Sequence, residues 1–295
     1  MALSERTLKG PRPRPRAPRP LIEAAPAQVV AVTGGKGGVG KTNVCANLGV
    51  ALARRGHQTL LLDADLGLAN VEVLLGLRSA HNLSHVMDGL VSLEQTLVEG
   101  PAGLKIVPGA SGISRMAGLS RAEQAGLVQA FSELSVPVDF LLVDTAAGIS
   151  PEVVGFARAA HEVVVVVCDE PASLTDAYAL IKVLNQEHGV RRVHVVANMV
   201  SGAQEGRRLY AKLAHVTDRF LDLVLSYLGS VPLDDQLRRA VQRQRAVADL
   251  YPRSRSAAAF EELATCLEAW PRPMGASGHL QFFLERVVQA GLAGP

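Results

Sequence analysis

Residues 35–42 read GKGGVGKT, and this octapeptide constrains the fold more than any other stretch of the chain. It matches G-x-x-x-x-G-K-[ST] through Gly35, Gly40, Lys41 and Thr42. The glycines let successive backbone N–H groups turn toward one point, where they cradle a β-phosphate. Lys41 neutralises phosphate charge, and the Thr42 hydroxyl suits a Mg²⁺ ligand. A helix starting there adds its positive dipole end. A chance match in a chain of this size arises on the order of once in a hundred, given glycine near 7% of residues. The flanks add weight: apolar VVAVT precedes the loop and an amphipathic stretch follows it, the strand–loop–helix setting that the motif requires.

The rest of the chain continues that alternation. Strand-like apolar runs fall at 29–33, 59–63, 104–108, 140–144, 163–168, 193–197 and 223–227. Helical stretches fit 42–55, 121–134, 151–160, 174–188, 204–216 and 256–270. Strands alternating with helices of this length predict α/β architecture, a mostly parallel sheet flanked by helices on both faces. Val163 to Val167 are five successive valines, as a central strand buried on both sides requires. Aromatic residues make up only 4%, so aliphatic side chains must fill the core.

The ends differ in composition. Residues 1–26 contain PRPRPRAPRP, a basic arm in which alternating proline forbids a helix and favours extended polyproline II. It reads either as a solubilising tail or as a docking arm for an acidic partner, nucleic acid or anionic lipid. A nucleotide-binding domain is expected over 27–270, then a linker over 271–278, PRPMGASG. In the final segment, 279–292, Leu280, Phe283, Leu284, Val287 and Val288 recur at helical spacing opposite Gln281, Glu285, Arg286 and Gln289. That is an amphipathic helix, suited to a membrane surface or to packing on a protein. No run of about 18 apolar residues occurs, and the first residues lack an apolar leader core. The three cysteines, Cys45, Cys168 and Cys266, are scattered, as reduced thiols of a cytoplasmic protein would be.

Three carboxylates suit the phosphate loop. LLLDADLGLAN ends a strand at Asp63 and places Asp65 just beyond it; FLLVDTAAGIS ends a strand at Asp144. Strand-end carboxylates face the ligand crevice of a parallel sheet, and Asp144 stands where a Walker B aspartate holds the Mg²⁺ shell. Such aspartates also cap helices and start turns.

On these residues the chain resembles the MinD/ParA group of deviant Walker A ATPases. The distinguishing residue is Lys36, a second lysine within the loop. In that family it reaches the phosphates of a partner subunit, so the resemblance implies ATP and Mg²⁺ as cofactors and a homodimer in the ATP state. Carried over by motif, Gly35, Lys36, Gly37, Gly38, Val39, Gly40, Lys41 and Thr42 bind nucleotide, and Asn198 in VANMV and Pro232 in GSVPLDD serve the adenine. Asn198 also fits a strand-end turn. Thr42, Asp63 and Asp144 serve the metal; Asp65 orients the attacking water, with Lys36 and Lys41 on the phosphates; TAAGIS senses the γ-phosphate.

Within the group, DADLGLANVEVLLGL, NLSHVMDG and LQFFLERVV resemble the FlhG/FleN flagellar-number regulators. That implies a slow ATPase that restrains a flagellar transcription activator and contacts the FlhF GTPase. It also implies a cytoplasmic protein held peripherally at the inner face of the membrane through Leu280, Phe283, Leu284, Val287 and Val288. The DQAxxLR motif with which such proteins often start is missing from this N-terminus. Division-site positioning, DNA partition and a nucleotide-binding scaffold with negligible hydrolysis are the alternatives. Two basic runs, Arg207, Arg208, Lys212 and Arg219, then Arg238, Arg239, Arg243 and Arg245, read as solvated helix faces. Without interleaved aromatics they do not predict nucleic-acid binding. His81 and His85 lack metal-site context and read as structural.

Overall fold

The computed structural model describes residues 27–65, 70–109 and 121–273. The basic arm, most of the linker and the 279–292 segment with its five membrane-facing candidates lie outside the described residues.

Among the described residues eight strands form one sheet. They are β1 (Gln28–Gly34), β2 (Thr59–Ala64), β3 (Val98–Glu99), β4 (Lys105–Val107), β5 (Phe140–Ala147), β6 (Glu162–Val167), β7 (Arg192–Val200) and β8 (Val224–Pro232). The order is β3-β4-β2-β5-β1-β6-β7-β8. Every neighbouring pair is parallel except β3 with β4. β1 therefore lies in the middle, and the loop leaving its C-terminal end opens onto the point where successive connections run to opposite sides. Ligands of open α/β sheets bind at such switch points.

Alternate side chains of each strand feed opposite cores. On one face Val30, Val32, Leu61, Leu142, Val164 and Val196 pack with α1 (Lys41–Arg54) and α11 (Arg255–Glu268). On the other, Val29, Leu60 and Leu141 meet α5 (Arg121–Ser132) and α6 (Pro151–Ala159) through Phe131 and Phe156. Farther along that face Val163, Val165, Val193 and Val195 meet α7 (Pro171–Gln186) and α8 (Ala203–Phe220). The expected class is what forms: a mostly parallel sheet with helices on both sides.

Several elements escape the apolar periodicity. Between β2 and β4 run three short helices, α2 (Val71–Leu75), α3 (Leu83–Met87) and α4 (Leu93–Thr96). None is long enough to show a 3.6-residue repeat, and the signal for two of them is a capping box: Asn82 with His85 and Ser92 with Gln95. His85 thus closes a helix cap and stacks edge-on to His81 at 5.3 Å. After β8 come α9 (Asp235–Gln242) and α10 (Val247–Leu250). β8 itself continues to Pro232, well past the apolar run ending at Tyr227, because an edge strand alternates with the half-exposed Ser226, Gly229 and Ser230. The first basic run sits on α8, and of the second Arg238 and Arg239 sit on α9 while Arg243 and Arg245 follow its last turn; the two helices pack against opposite faces of the sheet. They make no common surface.

α7 is seated tightly against the exit of β1. A Cβ on Gly35 would stand 2.1 Å from the Asp176 carbonyl, whereas one on Gly37 would meet nothing within 4 Å. Gly35→Ala is therefore expected to lower unfolding stability by about 2 kcal/mol or more through overpacking, and Gly37→Ala to change it by less than about 0.5 kcal/mol. Urea denaturation of the two variants checks this, and equal effects would contradict the packing described.

Candidate functional site

The loop from Gly35 to Gly40 connects β1 to α1 with two left-handed residues, Gly38 at φ 82° and Gly40 at φ 89°. Gly40 is the N-cap of α1 and has no side chain to cap it, so the first-turn amides stay directed at the crevice. Lys41, the first helical residue, is largely buried, and its ammonium stands 3.5 Å from the Lys36 carbonyl. Burial lowers the Lys41 pKa, opposed by the charges of Asp144 and Asp65.

The carboxylates follow from strand register. Asp63 and Asp144 are paired partners on adjacent parallel strands. Asp63 accepts three backbone N–H groups: Asp65 at 3.2 Å through Oδ1, and Asn70 at 3.0 Å and Val71 at 3.2 Å through Oδ2. It ties the end of β2 to the first turn of α2. Burial pushes its pKa up to about 6 against those hydrogen bonds, and Asp65 adds to the rise. Asp144 is 1% exposed, and neither of its carboxylate oxygens has a hydrogen-bond partner among the described residues. Its pKa rises to about 8, first through burial and then through the Asp63 charge. Thr42 and Lys41 are near enough to oppose the rise, without Thr42 completing a hydrogen bond.

Native proteins rarely leave a buried carboxylate unpartnered. Two buried acids, a lysine and a hydroxyl at the head of an amide-lined loop fit a hydrated divalent cation carried in by an anion. The residues suit a magnesium–nucleotide complex.

Asn198 ends near the same loop. A bulge in the β7–β8 register between Asn198 and Val200 puts Met199 in the left-handed region at φ 58°. The Asn198 side chain is thereby directed at the loop, where Nδ2 donates to the Val39 carbonyl at 2.8 Å. The same nitrogen would be 2.3 Å from a Cβ on Gly40. Sequence reasoning offered adenine reading or turn formation for Asn198; bracing the phosphate loop is a third role, visible only once β7 and β1 are placed together. Pro232 pairs with Val200 at the end of β8. Lys36 donates to Glu170 Oε2 at 2.5 Å, an exposed pair between the loop and the N-cap of α7. Glu170 has no motif to announce it, and sequence reasoning missed it. Asp65 is described, but 66–69 beyond it are not.

A model of the CobQ/CobB/MinD/ParA nucleotide binding domain matches residues 30–247. The antiactivator FleN of Pseudomonas aeruginosa is 57% identical over 264 residues, covering 90% of this chain and 94% of that protein. The chain belongs to the MinD/ParA family, in its FlhG/FleN branch. The flagellum site-determining protein YlxH of Helicobacter pylori is 34% identical over 81% of each chain. Among solved structures, the MinD cell division protein of Aquifex aeolicus shares 26% identity at a TM-score of 0.67, over 84% of this chain and 100% of that one. MinD of Pyrococcus horikoshii, solved with Mg-ADP, shares 25% at 0.64, over 82% and 96%. Membership carries a nucleotide-binding P-loop domain with it.

The raised carboxyl pKa values fix the sign of a pH effect. A carboxyl that holds its proton more tightly when folded than when unfolded makes stability fall as pH rises from about 4 through its folded value. Without nucleotide and metal, Asp144→Asn should therefore be more stable than the parent protein at pH 8, on the order of several kcal/mol. The gain should shrink toward pH 5. Urea midpoints at the two pH values decide it; a gain independent of pH would contradict the account.

Proposed function

We propose that this chain is an ATP-dependent dimerising switch that regulates flagellar number and placement by restraining a flagellar transcription activator. The observation that carries the reading is the 57% identity, over nine tenths of the chain, to a protein named an antiactivator. The flagellar site-determining relative supports the same setting.

The proposed chemistry uses the residues already in place. Loop amides from Gly35 to Gly40, with Gly37, Gly38 and Val39 between, hold the phosphates, and Lys41 offsets their charge. Thr42, Asp63 and Asp144 would hold a magnesium ion, which would supply positive charge to offset that of the phosphates. Asp65 orients the attacking water and accepts its proton. Asn198 also accounts for purine choice. With one Nδ2 hydrogen given to Val39, Oδ1 and the second Nδ2 hydrogen remain, and Oδ1 takes no hydrogen bond among the described residues. An acceptor there favours the 6-amino group of adenine and repels the 6-oxo group of guanine.

Lys36 supplies the switch. In the single chain it is held by Glu170 on the protein surface. An exposed ion pair contributes at most about 1 kcal/mol, so a partner's phosphates can displace Glu170 cheaply. The added contact in the dimer is the differential interaction that any ligand-driven change of state needs. Among the described residues no helix is long and apolar enough to cross a membrane. The 279–292 segment, with Leu280, Phe283, Leu284, Val287 and Val288, is proposed as a peripheral contact, joined to the 27–270 domain by the linker. Two such helices in a dimer gain avidity of roughly 10² to 10⁴.

Lys36→Ala should keep ATP binding and lose ATP-dependent dimerisation in gel filtration. Asp65→Ala should keep both and lower turnover by about 100-fold or more. A Lys36→Ala protein that still dimerises on ATP, or an Asp65→Ala protein that hydrolyses normally, would overturn the respective assignment.

A further inference from the structure

The two basic runs differ in what their side chains already do. On α8, Lys212 is paired with Asp169 at 3.0 Å, Arg207 lies over Tyr227 at 5.5 Å and Arg219 over Phe220 at 5.2 Å. On α9 and at its C-cap, Arg238, Arg239 and Arg243 are exposed, and their guanidinium groups take no ion pair or hydrogen bond among the described residues. The acid at the head of that helix is already committed. Asp234 accepts the Gln236 N–H at 2.8 Å, the Ser256 N–H at 3.0 Å and the Ser256 hydroxyl at 2.9 Å. Two apolar side chains stand open beside the arginines. Leu233, directly before the N-cap, is 67% exposed, and Val73 on α2 is 59% exposed.

What brings Val73 there is a clamp between elements 171 positions apart. Gln244, just past α9, holds the left-handed region at φ 53°, a costly conformation for a residue with a Cβ. It thereby turns its Nε2 to the Val73 carbonyl, at 3.0 Å. Gly76, left-handed at φ 65°, lacks the Cβ that would stand 2.9 Å from the Gln244 carbonyl. α2 is held at its other end by Asp63, through the N–H groups of Asn70 and Val71. Val71 and Leu75 then share one core with Ala240, Ala246 and Val247. One short helix thus spans from the carboxylate of the phosphate site to the arginine surface.

We propose that α9 and its exit form a docking surface for an acidic, partly apolar segment of a partner protein, and that α2 joins this surface to the magnesium site. Unpaired guanidinium groups present planar forks of donors that match carboxylates, and arginine clusters recognise acidic segments on this basis. Leu233 and Val73 need an apolar partner as well, which a peptide carries and a phosphate backbone lacks. Single strands would want stacking side chains, and residues 233–245 contain no aromatic. Whatever fixes Asp63 steadies the first turn of α2, and Gln244 passes that order to the loop that carries Arg243. A surface ordered beforehand binds more tightly, so affinity should rise when ATP and Mg²⁺ are bound. The link rests on the magnesium reading of Asp63; the dock itself does not.

The test is fluorescence anisotropy of the full chain with a labelled peptide of repeated Glu-Glu-Leu, with and without ATP and Mg²⁺. Polyglutamate of equal length should bind less well, since it offers Leu233 and Val73 nothing. Replacing Arg238, Arg239 and Arg243 with Gln should weaken peptide binding by about tenfold or more, and high salt should erase the difference. Replacing Arg207, Lys212 and Arg219 on α8 removes the same charge and should leave binding unchanged. Equal losses from the two triple variants, or no peptide binding by the parent chain, would overturn the dock. ATP with Mg²⁺ should tighten binding by about fivefold or more. Gln244→Ala should lose that gain while still binding ATP in calorimetry. A parent chain that binds ATP yet holds the peptide equally with and without it would overturn the link. A parent chain that binds no ATP would sink the magnesium reading and the link with it, while the arginine variants still decide the dock. Tighter binding of duplex DNA than of peptide, lost in the α9 variant, would assign the surface to nucleic acid and overturn the proposal.

Discussion

Asp63 and Asp144 stand in register on neighbouring strands, both buried, and this pair is the constraint around which the site is arranged. The two cannot both be charged without help, because each lacks water and lies beside the other. Asp63 finds that help in three backbone amides, which draw the start of α2 against the end of β2. Asp144 finds none among the described residues; Lys41 and Thr42 oppose the rise in its pKa without meeting it. The single chain is left with an unmet demand for positive charge at the point where the loop amides converge. A magnesium-bearing anion meets that demand, so binding and folding are linked through one buried oxygen pair.

The fold was largely legible in the residues, and the reasons it was not wholly so are physical. Five consecutive valines suit a central strand of a doubly covered sheet, and β6 is one. The glycine pattern at 35–42 demanded a strand before it and a helix after it, and β1 and α1 supply both. Short helices such as α2 and α10 carry four or five residues, too few for a repeat to be read. β8 outruns its apolar stretch because an edge strand tolerates Ser and Gly that a central strand would not.

At the site, sequence named the residues but could not join them. Asp63, Asp144, Lys41 and Thr42 were recognisable from strand ends and from one motif, whereas the pairing of Asp63 with Asp144 required the β2–β5 register. The bond from Asn198 to Val39 spans 159 positions and arises from a bulge that no local pattern announces. Glu170 is invisible for the same reason: its importance is its distance from Lys36. The meeting of Gln28 and Arg272 at the Asp139 carbonyl is likewise a fact of topology.

The claim on which all of this depends is that the amide loop and the buried carboxylates together hold a magnesium–nucleotide complex. Isothermal titration of the full chain with ATP, in magnesium and then in excess chelator, addresses it directly. The account predicts one nucleotide per chain with magnesium, and much weaker binding without it. Absence of binding heat with magnesium present, or equal affinity after chelation, would contradict it.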